Sequence, residues 1–161
     1  MVMLKLKVKL VQLNLKMFDA EEYVLKNISF KANKGDTVAF IGSTGSGKST
    51  LVNLIVRFYD VTDGEILIDG VNIKDYKLEY LYKLIGYVPQ RAVLFNGTVN
   101  SNISYGEAME KISDKKIVEA SKVAQADEFI SKMDDGYESH IAQGGTNVSG
   151  GQKQRIAISR A

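Results

Sequence analysis

The sequence predicts an α/β fold in which antiparallel strands precede a strand–loop–helix unit and a mainly helical segment follows it. Apolar and basic residues alternate from Leu4 to Leu10, a period of two that indicates a half-exposed strand. A glycine-rich stretch at residues 42–49 follows the apolar run Val38–Ile41 and precedes apolar residues at helical spacing, which are Leu51, Leu54, Ile55 and Phe58. Between residues 95 and 140 the pattern is mostly helical.

The composition is that of an ordinary globular protein. The 161 residues fit one domain or part of one, with 45% hydrophobic residues, 25% charged residues and a formal net charge of +2. The absence of cysteine excludes disulfides and cysteine-based zinc sites and agrees with a reducing compartment. His140 is the single histidine, so we expect an ordinary surface or packing role for it. No apolar run reaches the length of a membrane span, and lysines interrupt any signal-peptide core.

Turn signals and periodicity define the remaining elements. We expect strands at Val24–Phe30, Thr37–Ile41, Glu65–Asp69 and Ile85–Val88. Turns are predicted at Asn33–Asp36, Thr62–Gly64 and Asp69–Gly70. Helices are predicted from the glycine-rich loop to about Tyr59, at Leu78–Leu84, from Ser113–Asp114 onward and at Asp127–Met133. A second glycine-rich loop, Gly144–Gly151, opens a helix that continues to Ala161 without a stop signal. The predicted organisation is a β-rich core over about residues 1–91, a mainly helical subdomain over about 92–148, and a helix over 149–161.

The stretch Gly42–Ser49 fits the P-loop pattern G-x-x-x-x-G-K-[ST] in full. Its glycines let the backbone wrap around a phosphate, so that successive N–H groups form an anion nest at a helix N-terminus. Lys48 would place its charge on the β- and γ-phosphates, Ser49 would offer its hydroxyl to Mg²⁺, and Thr50 would add a further contact. The predicted phosphate-binding residues are Gly42, Ser43, Thr44, Gly45, Ser46, Gly47, Lys48, Ser49 and Thr50.

The alternative to a P-loop is a glycine-rich turn with a chance lysine. The pattern should arise by chance in roughly one chain of this length in a couple of hundred. The flanking strand and helix make a chance match rarer still. The sequence therefore predicts a P-loop NTPase core that binds a nucleoside triphosphate, or one that descends from such a core.

Two downstream motifs resemble those of the nucleotide-binding domains of ABC transporters. Ser149–Arg155, which reads SGGQKQR, resembles the ABC signature, and Tyr87–Gln90 resembles the Q-loop. The resemblance covers about residue 24 to the end. Leu94–Val99, Asn102-Ile103 and Tyr105-Gly106 resemble the exporter branch, of the multidrug and lipid type, more than the importers.

The resemblance implies roles for the matching residues. Gln90 would contact Mg²⁺ or the attacking water and would sense a transmembrane partner, whereas the alternative is a polar loop residue. Ser149, Gly150, Gly151 and Gln152 would close over the γ-phosphate held by a second nucleotide-binding domain in a head-to-tail dimer. The alternative for the loop before this helix is a plain flexible linker.

Three positions depart from the family pattern or match it loosely. An adenine-stacking aromatic is expected shortly before the Val24 strand, and Phe18 is nearest to the family position, with Tyr23 as the other candidate. Either could equally be a packing aromatic. Gln143 stands where exporters often carry a glutamate that contacts the transmembrane partner.

Both ends of the sequence also depart from the family. The Walker B aspartate, the catalytic glutamate and the switch histidine would come after Ala161, so we expect an incomplete ABC ATPase domain that is inactive in hydrolysis alone. The missing strand would leave Thr37–Ile41 with an unpaired apolar edge, an aggregation hazard. Residues before Asp19 do not resemble the family's first strand, but a shifted reading frame over Gln12–Phe18 can encode Ile-Glu-Phe-Lys-Asn-Val, which does.

The leading interpretation is the ATP-binding domain, or a fragment of it, of an ABC exporter that couples ATP hydrolysis to transport across a membrane. The resemblance implies ATP and Mg²⁺ as cofactors. The partners that it implies are an ABC transmembrane domain and a second nucleotide-binding domain, with no nucleic acid. The implied position is cytoplasmic, at the inner face of a membrane, through the transmembrane partner. One alternative is a non-catalytic nucleotide-binding remnant of a frameshifted or truncated gene. Another is an ABC-type ATPase of DNA repair or chromosome maintenance, which usually carries long coiled coils or zinc-binding cysteines. Other P-loop enzymes lack the Ser149–Gln152 motif.

Overall fold

The computed structural model of the protein describes residues 2–4, 8–16, 22–106 and 112–161. The described residues divide into two compact units, residues 2–87 and residues 88–161. In chain order the first unit contains β1 (Val2–Leu4), β2 (Val8–Lys16), β3 (Tyr23–Ala32), α1 (Lys48–Ile55), β4 (Asp63–Ile68), β5 (Val71–Asn72), a 3₁₀ turn (Ile73–Asp75), α2 (Leu78–Leu84) and β6 (Ile85–Tyr87).

The sheet of the first unit is antiparallel, with the strand order β3-β2-β4-β5, and β1 pairs separately with β6. This confirms the antiparallel β portion of the predicted fold class. Of the half-exposed strand predicted from Leu4 to Leu10, residues 5–7 lie outside the described residues. Val8 and Leu15 of β2 are both buried although they are seven residues apart, an odd separation that would place them on opposite faces of a regular strand. Irregularities in the pairing of β2 after Leu10 change the alternation and turn both side chains to the core.

Helix α1 presents Leu51, Leu54 and Ile55 to the core, as the spacing predicts, but it ends earlier than predicted. The prediction of a helix to about Tyr59 is wrong because the chain turns at Arg57, whose φ is 57°. The amides of Arg57 and Phe58 then bond back to carbonyls of the last helical turn at 3.1 and 2.9 Å, the pattern of a Schellman cap. Phe58 lies beyond the helix and is half exposed.

The predicted strand Thr37–Ile41 is wrong in the structure, which shows no regular secondary structure for this segment. A strand exists only when a neighbour supplies backbone partners, and no strand in the described part of the chain pairs with these residues. Phe40 alone turns inward and packs edge-to-face on Phe30 with a centroid separation of 5.2 Å. Val38 is 45% exposed and Ile41 is 96% exposed, so the other apolar side chains of the segment face outward.

The second unit is mainly helical and has its own core. It contains β7 (Gly97–Thr98), α3 (Val99–Ile103), α4 (Asp114–Val123), α5 (Asp127–Ile130), a 3₁₀ turn (Gly136–Glu138), β8 (His140–Ile141), a second such turn (Gln143–Gly145) and α6 (Gly150–Arg160). Its buried core is formed by Leu94, Val99, Ile103, Ile117, Ala124, Ala126, Ile130, Ile141 and Ile156. Helix α5 ends at Ile130 rather than at Met133, and Ser113 precedes α4 without a side-chain capping bond.

We predict that the P-loop helix is held mainly by its buried face. Leu54 is fully buried in α1, so Leu54→Ala should lower the free energy of unfolding by about 2–5 kcal/mol through lost burial and a cavity. Leu78→Ala is the control, because Leu78 is 44% exposed, and it should cost less than about 1 kcal/mol. Urea denaturation measures both, and equal losses would contradict the assignment of this core.

Candidate functional site

The P-loop has the backbone geometry that its glycines predict. Gly45 and Gly47 have φ angles of 84° and 83°, in the left-handed region where side chains are strained. A Cβ on Gly47 would also lie 2.6 Å from the side chain of Leu25, and one on Gly42 would lie 2.7 Å from the hydroxyl of Ser46. Gly45 and Gly47 are therefore required by the loop's own conformation, whereas a side chain at position 42 would need only the Ser46 hydroxyl to move.

Several backbone N–H groups of the loop have no internal partner. Within the described residues the amides of Gly45, Gly47, Lys48, Ser49 and Thr50 donate no hydrogen bond, whereas the next amide of the helix is bonded normally. The side chain of Lys48 turns back over the loop. Its ammonium donates to the carbonyls of Gly42 and Ser43 at 2.8 and 2.6 Å, and lies 3.1 Å from the hydroxyl of Ser46.

The electrostatics of this helix start favour an anion. The first turn of α1 carries no acidic residue, so the partial positive charge of the helix N-terminus and the charge of Lys48 are not offset locally. The hydroxyl of Ser49 is exposed and makes no hydrogen bond to the described residues. No group of three histidine or acidic side chains in the described ranges could hold a metal ion unaided. A cation there would need ligands from a bound phosphate as well.

The two aromatic candidates for adenine stacking have different outcomes. Phe18 lies outside the described residues. Tyr23 begins β3 and its hydroxyl donates to Asp63 at 3.0 Å, a bond that raises the pKa of the Tyr23 phenol. Lys16 approaches the Tyr23 ring at 6.0 Å from its centroid. Tyr23 therefore has a structural role at the edge of the sheet, and a stacking role for either residue stays a prediction.

Gln90 and the signature residues lie in the second unit. Gln90 is exposed and its side chain makes no hydrogen bond to any residue that the structure describes. The carbonyl of Pro89 accepts a long bond, 3.5 Å, from the side chain of Gln154 on α6. Gln90 thus belongs to a loop beside the signature helix, and its amide is available to a ligand.

Asn102 is a residue whose importance the sequence did not reveal. It is 1% exposed on α3, and its side chain bonds the N–H and the carbonyl of Phe95 at 2.8 and 2.9 Å and the carbonyl of Thr98 at 2.9 Å. Arg160, at the end of α6, donates to the backbone carbonyl of Asn102 at 2.7 Å and to that of Val93 at 3.1 Å. These bonds fasten the segment after Gln90 to the far end of the signature helix.

Arg160 also packs against two aromatic rings. Phe95 and Tyr105 stack with a centroid separation of 4.2 Å, and the guanidinium lies 5.4 and 5.6 Å from their centroids. Its partial burial lowers the pKa of Arg160, and in the described ranges no carboxylate forms a salt bridge with it. Backbone carbonyls and aromatic faces therefore compensate the charge. The signal available in the sequence was only an arginine near the end of a predicted helix.

A connection joins the loop before the signature to the segment after Gln90. Strands β7 and β8 pair, and the side-chain oxygen of Gln143 accepts the N–H of Asn96 at 3.2 Å. His140 lies 2.9 Å from the side-chain oxygen of Asn96, and Asn147 bonds the carbonyl of His140 at 2.8 Å. His140 is an exposed surface histidine, as expected, and Gln143 is bonded within its own unit.

The signature residues start α6 with a capping box. The hydroxyl of Ser149 accepts the N–H of Gln152 at 3.3 Å, and the side-chain oxygen of Gln152 accepts the N–H of Ser149 at 2.9 Å. Gly150 and Gly151 are exposed, their φ angles are not in the left-handed region, and a Cβ on either would meet nothing within 4 Å. Neither glycine is therefore required by the described structure, unlike the glycines of the P-loop.

Comparison with known proteins shows the family. The family model described as "ABC transporter" matches residues 25–161. The chain is 50% identical to an ATP-dependent lipid A-core flippase of Pasteurella multocida. The alignment of 141 residues covers 88% of the chain and 24% of the flippase. It is 51% identical over 139 residues to an uncharacterized ABC transporter ATP-binding protein of Mycobacterium bovis, covering 86% of the chain and 24% of that protein.

A solved structure of a bacterial ABC exporter with ATP bound matches 97% of the chain with a TM-score of 0.89 and 37% sequence identity, over 27% of the exporter chain. The chain belongs to the ABC transporter family, and its sequence and fold are those of the ATP-binding domain of ABC exporters. This confirms the resemblance and the fold class predicted from the sequence. The chain spans about a quarter of the length of the curated relatives it matches.

We predict that Asn102 carries much of the stability of the second unit. Asn102→Ala should lower the free energy of unfolding by about 2–4 kcal/mol, because buried backbone groups of Phe95 and Thr98 would lose their partner. Asn100→Ala is the matched control on the same short helix, since the Asn100 side chain bonds only the exposed Glu138, and it should cost under about 1 kcal/mol. Chemical denaturation that finds the two variants equal would contradict this role.

Proposed function

We propose that the P-loop of this chain binds the phosphates of MgATP. The observation that carries the proposal is the set of five amides without a partner among the described residues, at a helix start without an acidic side chain; they belong to Gly45, Gly47, Lys48, Ser49 and Thr50. A phosphate would accept several of these N–H groups at once, because left-handed residues such as Gly45 and Gly47 are those that form anion-binding nests of successive amides. Lys48 would exchange its bonds to the loop carbonyls for a phosphate oxygen.

We propose roles at Mg²⁺ for two residues, each considered within its own unit: Ser49 as a ligand beside the P-loop, and Gln90 as the residue to which the family resemblance assigns contact with the ion or its water. Oxygen ligands suit this ion, which is usually bound by few protein groups together with nucleotide phosphates and water. The exposed hydroxyl of Ser49 and the exposed amide of Gln90 fit that donor set. The ion, when bound, would neutralise charge on the phosphates, and the role that the resemblance implies for Gln90 is to orient a water.

The signature helix would serve a nucleotide held by a second ABC domain. Glycine weakens a helix start, and neither Gly150 nor Gly151 is required by any contact or torsion of the described residues. A close approach from outside the chain gives a reason for both, because only glycine exposes backbone N–H groups without a side chain in the way. Ser149, Gly150 and Gly151 would then act as phosphate ligands in a head-to-tail dimer.

The longer protein that such a domain serves is proposed to be an exporter. No helix of the described residues is long and apolar enough to cross a membrane. An ABC transmembrane domain, as the resemblance implies, would therefore place this domain at the inner face of a membrane and use ATP hydrolysis for transport. The β-rich core over about residues 1–91 and the helical subdomain over about 92–148 would remain the two functional parts within it.

We expect MgATP to raise the thermal midpoint of the purified chain. A ligand that binds only the folded state adds about 2.7 kcal/mol at a hundred times its dissociation constant. Lys48→Ala should abolish this rise, because the charge nearest the phosphates is removed, while leaving the midpoint without nucleotide nearly unchanged. Circular dichroism during heating, with and without MgATP, measures both effects.

Lys34→Ala is the matched control for this experiment. Lys34 lies in the exposed turn between β3 and the P-loop segment, in the same unit, and its variant should keep the full rise. A wild-type midpoint that does not respond to MgATP, or a rise that survives in Lys48→Ala, would overturn the proposed nucleotide site.

We also expect Gly151→Ala to separate stability from function. The free energy of unfolding should stay equal or rise by up to about 1 kcal/mol, since alanine favours the helix and meets no neighbour. MgATP-dependent self-association, measured by sedimentation, should nevertheless be lost because the added methyl group would block the approach of a phosphate.

Gly145→Ala provides the contrast. Its φ of 66° and a Cβ position 3.1 Å from the side chain of Leu94 mean that this variant should be destabilised by more than about 1 kcal/mol. Unchanged association of Gly151→Ala in MgATP would remove the argument that an external phosphate explains the signature glycines.

A further inference from the structure

The start of α6 is held by two side chains, those of Ser149 and Gln152. Gln152 accepts the N–H of Ser149 at 2.9 Å through its side-chain oxygen, and its own N–H bonds the Ser149 hydroxyl at 3.3 Å. The first turn contains no acidic residue that could replace this acceptor. The two residues enclosed by the box, Gly150 and Gly151, have no side chain with which to anchor themselves.

The amides inside this box need an external constraint. Glycine has the largest range of accessible backbone conformations, so two glycines in succession make a helix start prone to fraying. In the described residues the N–H groups of Gly150 and Gly151 donate no hydrogen bond, so these amides are held only through the helical backbone of α6 and its cap. The direction of these amides therefore depends on the residues on either side, Ser149 and Gln152.

We infer that Gln152 is a positioning residue, which holds the N-terminus of α6 so that the amides of Gly150 and Gly151 point outward in a fixed direction. The side-chain oxygen is committed to Ser149, so its task is to shape the phosphate-facing backbone rather than to bind nucleotide directly. This rests on the proposed function, in which those amides meet the phosphate of a second domain. A partner phosphate would then bind a preorganised helix end instead of ordering one.

The structural arm of the test is amide hydrogen exchange of the isotope-labelled chain, read by NMR. Gln152→Met keeps the length and helix preference of the side chain but has no acceptor for the Ser149 N–H, whose exchange should become about fivefold faster. Gln152→Glu keeps an acceptor and should retain the slow exchange. Gln154→Met is the matched control, because Gln154 lies on the same helix and its side chain bonds Pro89 instead of the cap.

The functional arm is sedimentation in MgATP together with fluorescent-nucleotide binding. Gln152→Met should weaken MgATP-dependent self-association about tenfold. Nucleotide binding, measured at chain concentrations too low for association, should stay at the wild-type value because Gln152 is not part of the P-loop. Gln154→Met should leave both at the wild-type value.

Each outcome decides the inference. Faster exchange together with weaker association supports a positioning role. Weaker association with unchanged exchange of Ser149 would show a direct ligand role and overturn it, and so would unchanged association with faster exchange. Wild-type chain that binds nucleotide but does not associate would refute the dimer part of the proposed function. The exchange rate of the Ser149 amide would then decide the capping role of Gln152 by itself.

Discussion

A backbone N–H in the first turn of a helix has no partner inside that helix, and the candidate site depends on this constraint twice. In both α1 and α6 the first turn lacks an acidic residue, and glycines take the place of side chains that could cover the amides. The two helix starts reach this state differently. At α1 the loop itself forces the conformation, because Gly45 and Gly47 are in the left-handed region and Gly47 packs against Leu25. At α6 the helix is regular from its first residue, and a capping box holds it.

This difference explains why glycine has two meanings in one chain. A side chain at position 47 would clash within the fold itself, so the substitution would lower the stability of the chain even in the absence of nucleotide. A substitution at Gly150 or Gly151 meets nothing in the described structure, so its cost arises only when another molecule approaches. Substitutions at the start of α6 can therefore change binding without changing stability, whereas substitutions at the start of α1 change both.

Much of the fold could be predicted because its signals are local. The strand at Tyr23–Ala32, the helix at Leu78–Leu84 and the turn at Asp69-Gly70 follow from periodicity and from residues suited to left-handed torsions. The failures come from interactions with distant residues. Thr37–Ile41 has the composition of a strand, but strand formation depends on a neighbour that no local pattern reports. The end of α1 at Ile55 was missed because the turn that stops it uses Arg57 in the left-handed region, where arginine is uncommon.

The candidate site shows the same limit. Its phosphate-facing residues stand in two short, ordered motifs and could be read from the sequence, whereas the residues that support them could not. Asn102 and Arg160 are 58 positions apart and meet only in the folded unit. Gln152 could be predicted within the motif, but its bond to Ser149 became visible only with the backbone in place.

The hydrogen bonds of Arg160 bear on the pH range over which the second unit keeps its structure. Its hydrogen-bond acceptors are the carbonyls of Val93 and Asn102 and the side-chain oxygen of Asn102, which are all amide oxygens and carry no titratable proton. Burial lowers the pKa of Arg160, yet a guanidinium stays protonated wherever proteins remain folded. An attachment made to a carboxylate would weaken in acid. This one joins the segment after Gln90 to the signature helix through amide oxygens, which are not protonated in mild acid.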